Sequence, residues 1–452
     1  MPTYDTAVAS LLALGHELAH TPSHKFDLAH MRALLAELGR PEQKFPSVLI
    51  AGTNGKGSTA ATLAAIIQAA GYRTGLYTSP HLVRVNERIR SNGIAIADDE
   101  FAALHERVER AAEKLVTKGE LPWHPSFFEM VTAMAFLHFA EVGVDIAVLE
   151  VGMGGRLDAT NVVEPRASVI TDIALDHQKF LGNTIAEIAR EKAGIIHAAG
   201  VVVTLPQMPE ANDVIGNAIL ERGARGISAT PFMPSVSPKA QELQVLKSNS
   251  NGEPGCAQQY RLRVLGEEVE VATPLAGRHQ LRNIALALAT AEELARQGFK
   301  ISASHVGKGL RQTHWPGRLQ SIERDGVQFL FDVAHNPAGA WALRSALSDL
   351  YDGRPLTFVF GAMRDKAIGE MAEILFPLAQ HVIVTHAESP RAAQPAEIEK
   401  AAARLTVDLE EAPDVATALR LSRRAVRAGG LVVVTGSIYV VGEAMRELRV
   451  QV

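Results

Sequence analysis

A single cysteine, Cys256, stands in 452 residues. One thiol excludes an intramolecular disulfide framework and suits a reducing compartment. An excess of positive charge is missing too: 45 Lys and Arg face 50 Asp and Glu, for a formal net charge of −5. No global field therefore recruits nucleic acid or an anionic membrane. No apolar run reaches the length that spans a bilayer. The N-terminal stretch carries Asp5 and no basic segment leading into an apolar one, so no signal-peptide pattern is expected. Internal repeats and low-complexity tracts are absent. What remains is 47% apolar and 21% charged residues, the balance of a globular protein. The length argues for two domains or more. A cytoplasmic α/β enzyme is the expectation, with neither nucleic acid nor membrane as partner.

The chain is organised around Ala51-Gly52-Thr53-Asn54-Gly55-Lys56-Gly57-Ser58. Before it, Ser47–Ala51 is a short, mostly apolar run of the kind that forms a buried strand. After it, Leu63, Ile66, Ile67 and Ala70 recur at helical spacing until Gly71. Strand, glycine loop and helix together aim backbone N–H groups and a helix N-terminus at a phosphate. Lys56 would reach the outer phosphates, and Ser58 would cap the helix or hold Mg²⁺. The spacing departs from the usual P-loop: two residues separate Gly52 from Gly55, and Gly57 intervenes before Ser58.

Helices are expected over 3–19, after a cap at Asp27, over 98–117, from the Ser126–Glu129 capping box, and from Thr184 through Lys192. Strands are expected over 74–77, 144–149 and 168–173. Residues 228–258, rich in Pro, Ser, Asn and Gly, read as mostly surface loop. Strands over 259–264 and 268–272 and a helix over 280–296 follow. Beyond Trp315-Pro316-Gly317-Arg318 a new alternation begins. Strands over 327–332, 356–361, 381–385 and 431–435 interleave with helices near 337–350, 366–377, 395–403 and 412–427, a second βαβ unit. The division falls between 1–311 and 312–452.

Several chemistry-bearing residues sit just past strands. Glu150 ends an apolar strand, where ligands of open α/β sheets bind, or it simply faces the surface. Asp176 and His177 end the next strand; a lone His is more often structural than a ligand. Lys192, in the last turn of its helix, is ordinarily a favourable solvated charge, and spacing alone does not single it out. The segment 152–161, from Gly152 to Asn161, has no regular pattern, and its glycines permit close backbone approach to a ligand. Gly277–Asn283 offers polar groups at a helix start. Arg318 could meet phosphate from the domain junction. Asp332 and His335 lie at a further strand end, with Asn336 as N-cap and Pro337 at the first helical position.

These motifs together resemble the folylpolyglutamate synthase/dihydrofolate synthase family within the Mur ligase superfamily. The resemblance rests on Phe26-Asp27-Leu28, Gly52–Ser58, Tyr77–Arg88, Glu150–Asn161, Asp176-His177, Arg190–Ile195, Gly317-Arg318 and Asp332–Pro337. The Gly-Lys-Gly-Ser loop points to the folate branch, because Mur ligases proper usually carry Thr directly after the lysine. The resemblance implies an α/β fold: an ATP-binding P-loop domain on a Mur-ligase-like central sheet, plus a smaller Rossmann-like α/β C-terminal glutamate-ligase domain. It implies Lys56, His177 and Lys192 as catalytic. Ser79, Glu150, His177 and Lys192, the last as an N-carboxylated carbamate, would serve two Mg²⁺ sites, with a monovalent cation as a further cofactor. Thr53, Asn54, Gly55, Lys56, Gly57, Ser58, Asn283, Arg318, Asp332 and His335 would contact ATP. Phe26, Asp27, Phe128, Leu157, Asp158 and Ala159 fall where bifunctional bacterial members hold dihydropteroate.

The implied reaction is ATP-driven amide formation by a monomer. L-Glutamate is joined to 7,8-dihydropteroate or to a reduced folate through an acyl phosphate. Addition to folates only, a Mur-type ligase acting on a UDP-sugar peptide, and a non-catalytic ATP-dependent switch stand as alternatives. Gly57 and Leu157–Asn161 argue against the Mur type. The retained acids, Arg318 and His335 argue against the switch.

Overall fold

The computed structural model describes residues 3–15, 27–235 and 258–452. Phe26, Cys256 and most of the proline-rich stretch lie outside them. The architecture is two α/β units. The first carries an eight-stranded sheet of β1 (Ser47–Ala51), β2 (Thr74–Tyr77), β3 (Ile89–Ser91), β4 (Ile94–Ala95), β5 (Ile146–Glu150), β6 (Ala167–Ile170), β7 (Val201–Thr204) and β8 (Arg225–Ser228). Their order is β4-β3-β2-β5-β1-β6-β7-β8. The six strands from β2 to β8 are parallel, and β3 and β4 add an antiparallel edge. Helices cover both faces, as parallel sheets require. The alternation of β1 shows why its run after Ser47 is apolar throughout: Leu49 and Ala51 feed one core cluster, Val48 and Ile50 the other.

An antiparallel hairpin, β9 (Gln258–Val264) and β10 (Glu267–Thr273), leads to the helix Arg278–Arg296 and then to Ala303–Gln312, which packs on the helix Lys56–Ala69. The second unit is a six-stranded sheet of β11 (Gln320–Arg324), β12 (Val327–Phe331), β13 (Leu356–Phe360), β14 (His381–Val384), β15 (Leu409–Glu411) and β16 (Leu431–Thr435). Its order is β11-β12-β16-β13-β14-β15, parallel except for β11. Phe329 and Phe331 point into one core, Leu330 into the other.

The expected strand at 168–173 is shorter: β6 ends at Ile170, and Thr171 and Asp172 carry the backbone pairing on to Ala51 and the glycine loop. The expected helix at 3–19 is described as Tyr4–Ala13. Elements that carried too little pattern to be anticipated include β3, β4, β7, β8, β11, β15 and the helices Pro209–Glu221, Ala303–Gln312 and Ile438–Glu447.

Candidate active site

The carboxyl ends of the parallel strands in both sheets face one cleft of about 1110 Å³. On its first wall the glycine loop is fastened to the end of β6. Thr53 and Asn54 donate their N–H groups to the Asp172 carbonyl at 2.8 and 3.2 Å. The Thr53 hydroxyl donates to Ala174 O at 3.0 Å and accepts from Ala174 N at 3.1 Å. Gly55 holds φ at 90°, and a Cβ there would stand 2.1 Å from Asn283 Oδ1, so only glycine fits. Gly55 is also the cap of the helix Lys56–Ala69, and Ser58 lies buried inside its first turn. The capping role expected of Ser58 is therefore filled by Gly55.

Three charged side chains surround the loop, Lys56 half-buried and Glu150 and Lys192 buried. Lys56 Nζ donates to Gly52 O at 3.1 Å and Thr53 O at 3.3 Å, and lies 4.0 Å from Glu150 Oε1. Glu150 is the last residue of β5 and only 4% exposed, which removes the surface-facing alternative. Burial pushes its carboxyl above the ordinary range, against the opposing pull of Lys56. Its Oε2 accepts from Ser79 N at 3.2 Å. Lys192 is 4% exposed rather than solvated, and its Nζ donates to Gly52 O at 2.8 Å. Burial first, and Lys56 beside it, lower the Lys192 pKa to about 7. A helix-terminal lysine turned inward is the departure from the ordinary solvated reading, because the helix Ile185–Ala193 packs under the loop.

His177 adopts φ of 50°, and its Nδ1 is buried with no hydrogen-bond partner. Burial, reinforced by the nearby Lys366 charge, lowers its pKa to about 3, so the ring is neutral. A neutral imidazole with a free nitrogen, the Glu150 carboxylate and the Ser79 hydroxyl are a donor set that fits a divalent cation. Among the described residues no three His, Cys, Asp or Glu side chains gather into a metal cluster. The set depends on the serine.

The second wall comes from the turn after β12. Asp332 accepts from Leu319 N at 3.1 Å and Ala334 N at 3.0 Å, which fixes the strand end. Asn336 caps the helix Pro337–Leu350 by accepting from Gly339 N at 2.8 Å. It also exchanges amide hydrogen bonds with Asn54 of the glycine loop at 3.0 and 3.2 Å. Asp176 gathers the other contacts: Lys366 Nζ at 2.5 Å, Asn336 Nδ2 at 3.2 Å and His335 Nε2 at 3.6 Å. Burial alone would raise the Asp176 carboxyl; His335, His177 and Lys366 together hold it well below the usual range. Arg318 donates to Pro316 O at 3.0 Å and shares the cleft lining with Lys56.

At the far end of the cleft, Phe128 packs against Gly152, where a Cβ would lie 2.5 Å from its ring. Asp158 is buried, and both its oxygens serve its own loop: Oδ2 accepts from Met153 N at 3.0 Å, Oδ1 from Thr160 N at 3.0 Å. Asp27 caps the helix Leu28–Glu37 through Ala29 N at 2.8 Å and also lines the cleft, so its two readings coexist. Leu157 and Ala159 line it as well. Apart from Phe26, outside the described residues, every site residue named from the sequence borders this one cleft. Lys366 was missed. It lies in the loop after β13, at a strand's carboxyl end, and that position was the available signal.

Two family models match the chain. The Mur ligase middle domain matches residues 50–291, and the Mur ligase, glutamate ligase domain matches 317–438. The chain is 36% identical over 427 residues to the dihydrofolate synthase/folylpolyglutamate synthase of Bacillus subtilis (strain 168), covering 93% of this chain and 95% of that one. It is 31% identical over 401 residues to the protein of the same name from Escherichia coli (strain K12), covering 87% and 85%. Among solved structures, Mycobacterium tuberculosis folylpolyglutamate synthase complexed with ADP and AMPPCP superposes with a TM-score of 0.84 at 34% identity, covering 97% of this chain and 98% of that one. With that extent of shared sequence and fold, the chain belongs to the dihydrofolate synthase/folylpolyglutamate synthase family of Mur ligases.

Proposed function

We propose that the chain joins L-glutamate both to 7,8-dihydropteroate and to reduced folates, driven by ATP. The observation that carries this is a single cleft in which the phosphate loop, buried Lys192 and Glu150, and Arg318 and His335 of the second unit face one space. Family membership makes the chain an ATP-dependent ligase. A substrate carboxylate oxygen attacks the γ-phosphorus and ADP leaves, producing an acyl phosphate. The glutamate amine attacks the acyl carbon, phosphate departs from the tetrahedral intermediate, and the amide nitrogen loses its proton. Lys56 and Arg318 offset charge on the phosphoryl oxygens. The cleft between two units excludes the water that would hydrolyse the acyl phosphate.

Ser79, Glu150 and His177 would hold Mg²⁺, which supplies charge neutralisation at the transferring phosphoryl group. Lys192 is the residue for carbamylation: its neutral amine attacks CO₂, losing a proton to become an anion where a cation stood. The buried environment that disfavours its ammonium form supports this. Phe128 offers an aromatic face and Asp158 a carboxylate to a pterin ring, with Asp27, Leu157 and Ala159 beside them and Phe26 assigned by family likeness alone. The units divide after residue 311, and the enzyme works as a cytoplasmic monomer. No described helix is long and apolar enough to cross a membrane. Glutamate-dependent phosphate release, measured with dihydropteroate and with tetrahydrofolate, tests the reading. Turnover with both supports it; release with tetrahydrofolate alone leaves a polyglutamate synthase.

A further inference from the structure

The residue after the loop lysine is glycine although its backbone makes no demand for one. Gly52 and Gly55 hold positive φ, whereas Gly57 sits in the first turn of a helix with ordinary φ. The demand comes from elsewhere in the chain. A Cβ on residue 57 would stand 2.6 Å from Cζ2 of Trp315 and 3.0 Å from its Cε2, closer than such atoms pack. The indole thus occupies the volume of the missing side chain. Its Nε1 is buried with no acceptor, so packing rather than a hydrogen bond holds the ring there.

Trp315 lies on the connection between the helix Ala303–Gln312 and β11, three residues before Arg318. The Arg318 guanidinium stands 5.4 Å from the indole centroid, in range of a cation–π contact. Upstream, Gly309 abuts the same loop helix, where a Cβ would lie 2.4 Å from Ile66 Cα. Gly309 in the helix Ala303–Gln312 and Trp315 in the connection after it therefore both abut the helix Lys56–Ala69 before the chain delivers Arg318. We propose that Trp315 is a positioning residue: received by Gly57, its indole sets the phosphate loop and Arg318 against one another, so that Lys56 and Arg318 address the same triphosphate. This rests on the ATP-ligase reading above and adds to it the reason for Gly57.

A double-mutant cycle tests it, with wild type, Gly57→Ala, Trp315→Phe and the pair. Phenylalanine keeps a ring but removes the atoms that meet residue 57. Gly57→Ala alone is expected to lower kcat/KM for ATP by about tenfold or more, the cost of forcing a methyl into a packed site. In the Trp315→Phe background the same change costs several-fold less, and KM for glutamate stays unchanged throughout. Tm without nucleotide reads the same coupling independently of activity. Equal losses from Gly57→Ala in both backgrounds, or none with Trp315 present, overturn the proposal. So does Trp315→Phe that lowers Tm while leaving KM for ATP and kcat untouched. Wild type that binds no ATP overturns the functional reading instead, and the Tm cycle still reports on the contact.

Discussion

The two walls of the cleft are built alike and held differently. Each is a set of turns at the carboxyl ends of parallel strands. On the first wall three charges rest on backbone of their own unit: Lys56 and Lys192 both donate to Gly52 O, and Asp158 accepts from Met153 and Thr160. On the second wall, Lys366 and Asn336 find their partners across the cleft, in Asp176 and Asn54. The glycine-loop end of the first wall is held within its own unit, whereas the Asp176–Lys366 pair and the Asn54–Asn336 exchange depend on the two units being docked. Such a division suits a ligase that must open for substrates and close for chemistry.

The comparison breaks most severely if Lys192, as buried as Glu150 beside the loop, is dispensable. Lys192→Ala is expected to cost about a thousandfold in kcat, the upper end for losing one electrostatic stabiliser, with partial recovery on adding a short carboxylic acid. Full activity without rescue removes the carbamate role. Next comes the cross-cleft pair. Lys366→Met strands the buried Asp176 carboxylate, a loss of about 3–5 kcal/mol when one partner of a buried pair is removed. Calorimetry on wild type, Lys366→Met and Lys366→Met/Asp176→Asn should show the second change restoring part of the Tm. No restoration means that the pair does not carry the docking.

Smaller effects sharpen the picture. Asp158→Ala should lower dihydropteroate turnover by about ten- to a hundredfold, the worth of a charge-assisted hydrogen bond, and glutamate addition to reduced folate much less. Equal losses in kcat/KM for the two substrates remove it as a pterin-selective contact. The mildest is pH. Burial lowers the Lys192 pKa to about 7, so below that value the amine is protonated and cannot attack CO₂. Carbamylation, read as bicarbonate-dependent activity, should fall by about tenfold per pH unit under 7 and level off above it. A flat profile across that range excludes the neutral amine as the reacting form.

Much of this was legible in residue order because the physics is local. Ser47–Ala51, the glycines and the helix through Ala69 declare themselves by apolar runs, turn chemistry and periodicity. The capping boxes at Ser126 and Thr184 appear in the structure where the residue types require them. Less was legible where the pattern is weak. The edge strand β8, Arg225–Ser228, is mostly exposed and carries no apolar pattern, and the closing helix Ile438–Glu447 follows β16 after only two residues.

By itself the sequence determined the class, the two α/β units, the loop chemistry and, through separated motifs, the family. Only the tertiary structure decided which charges are buried and against what. Lys192 reads as a solvated helix-terminal lysine until packing places its helix under Gly52. Lys366 is unremarked until the second unit docks and finds Asp176, 190 residues away. Gly57 looks like a loop glycine until Trp315 is seen to fill its space. The reason is common to all three: secondary structure is set by neighbours along the chain, whereas desolvation, pKa and steric exclusion depend on neighbours that arrive through space.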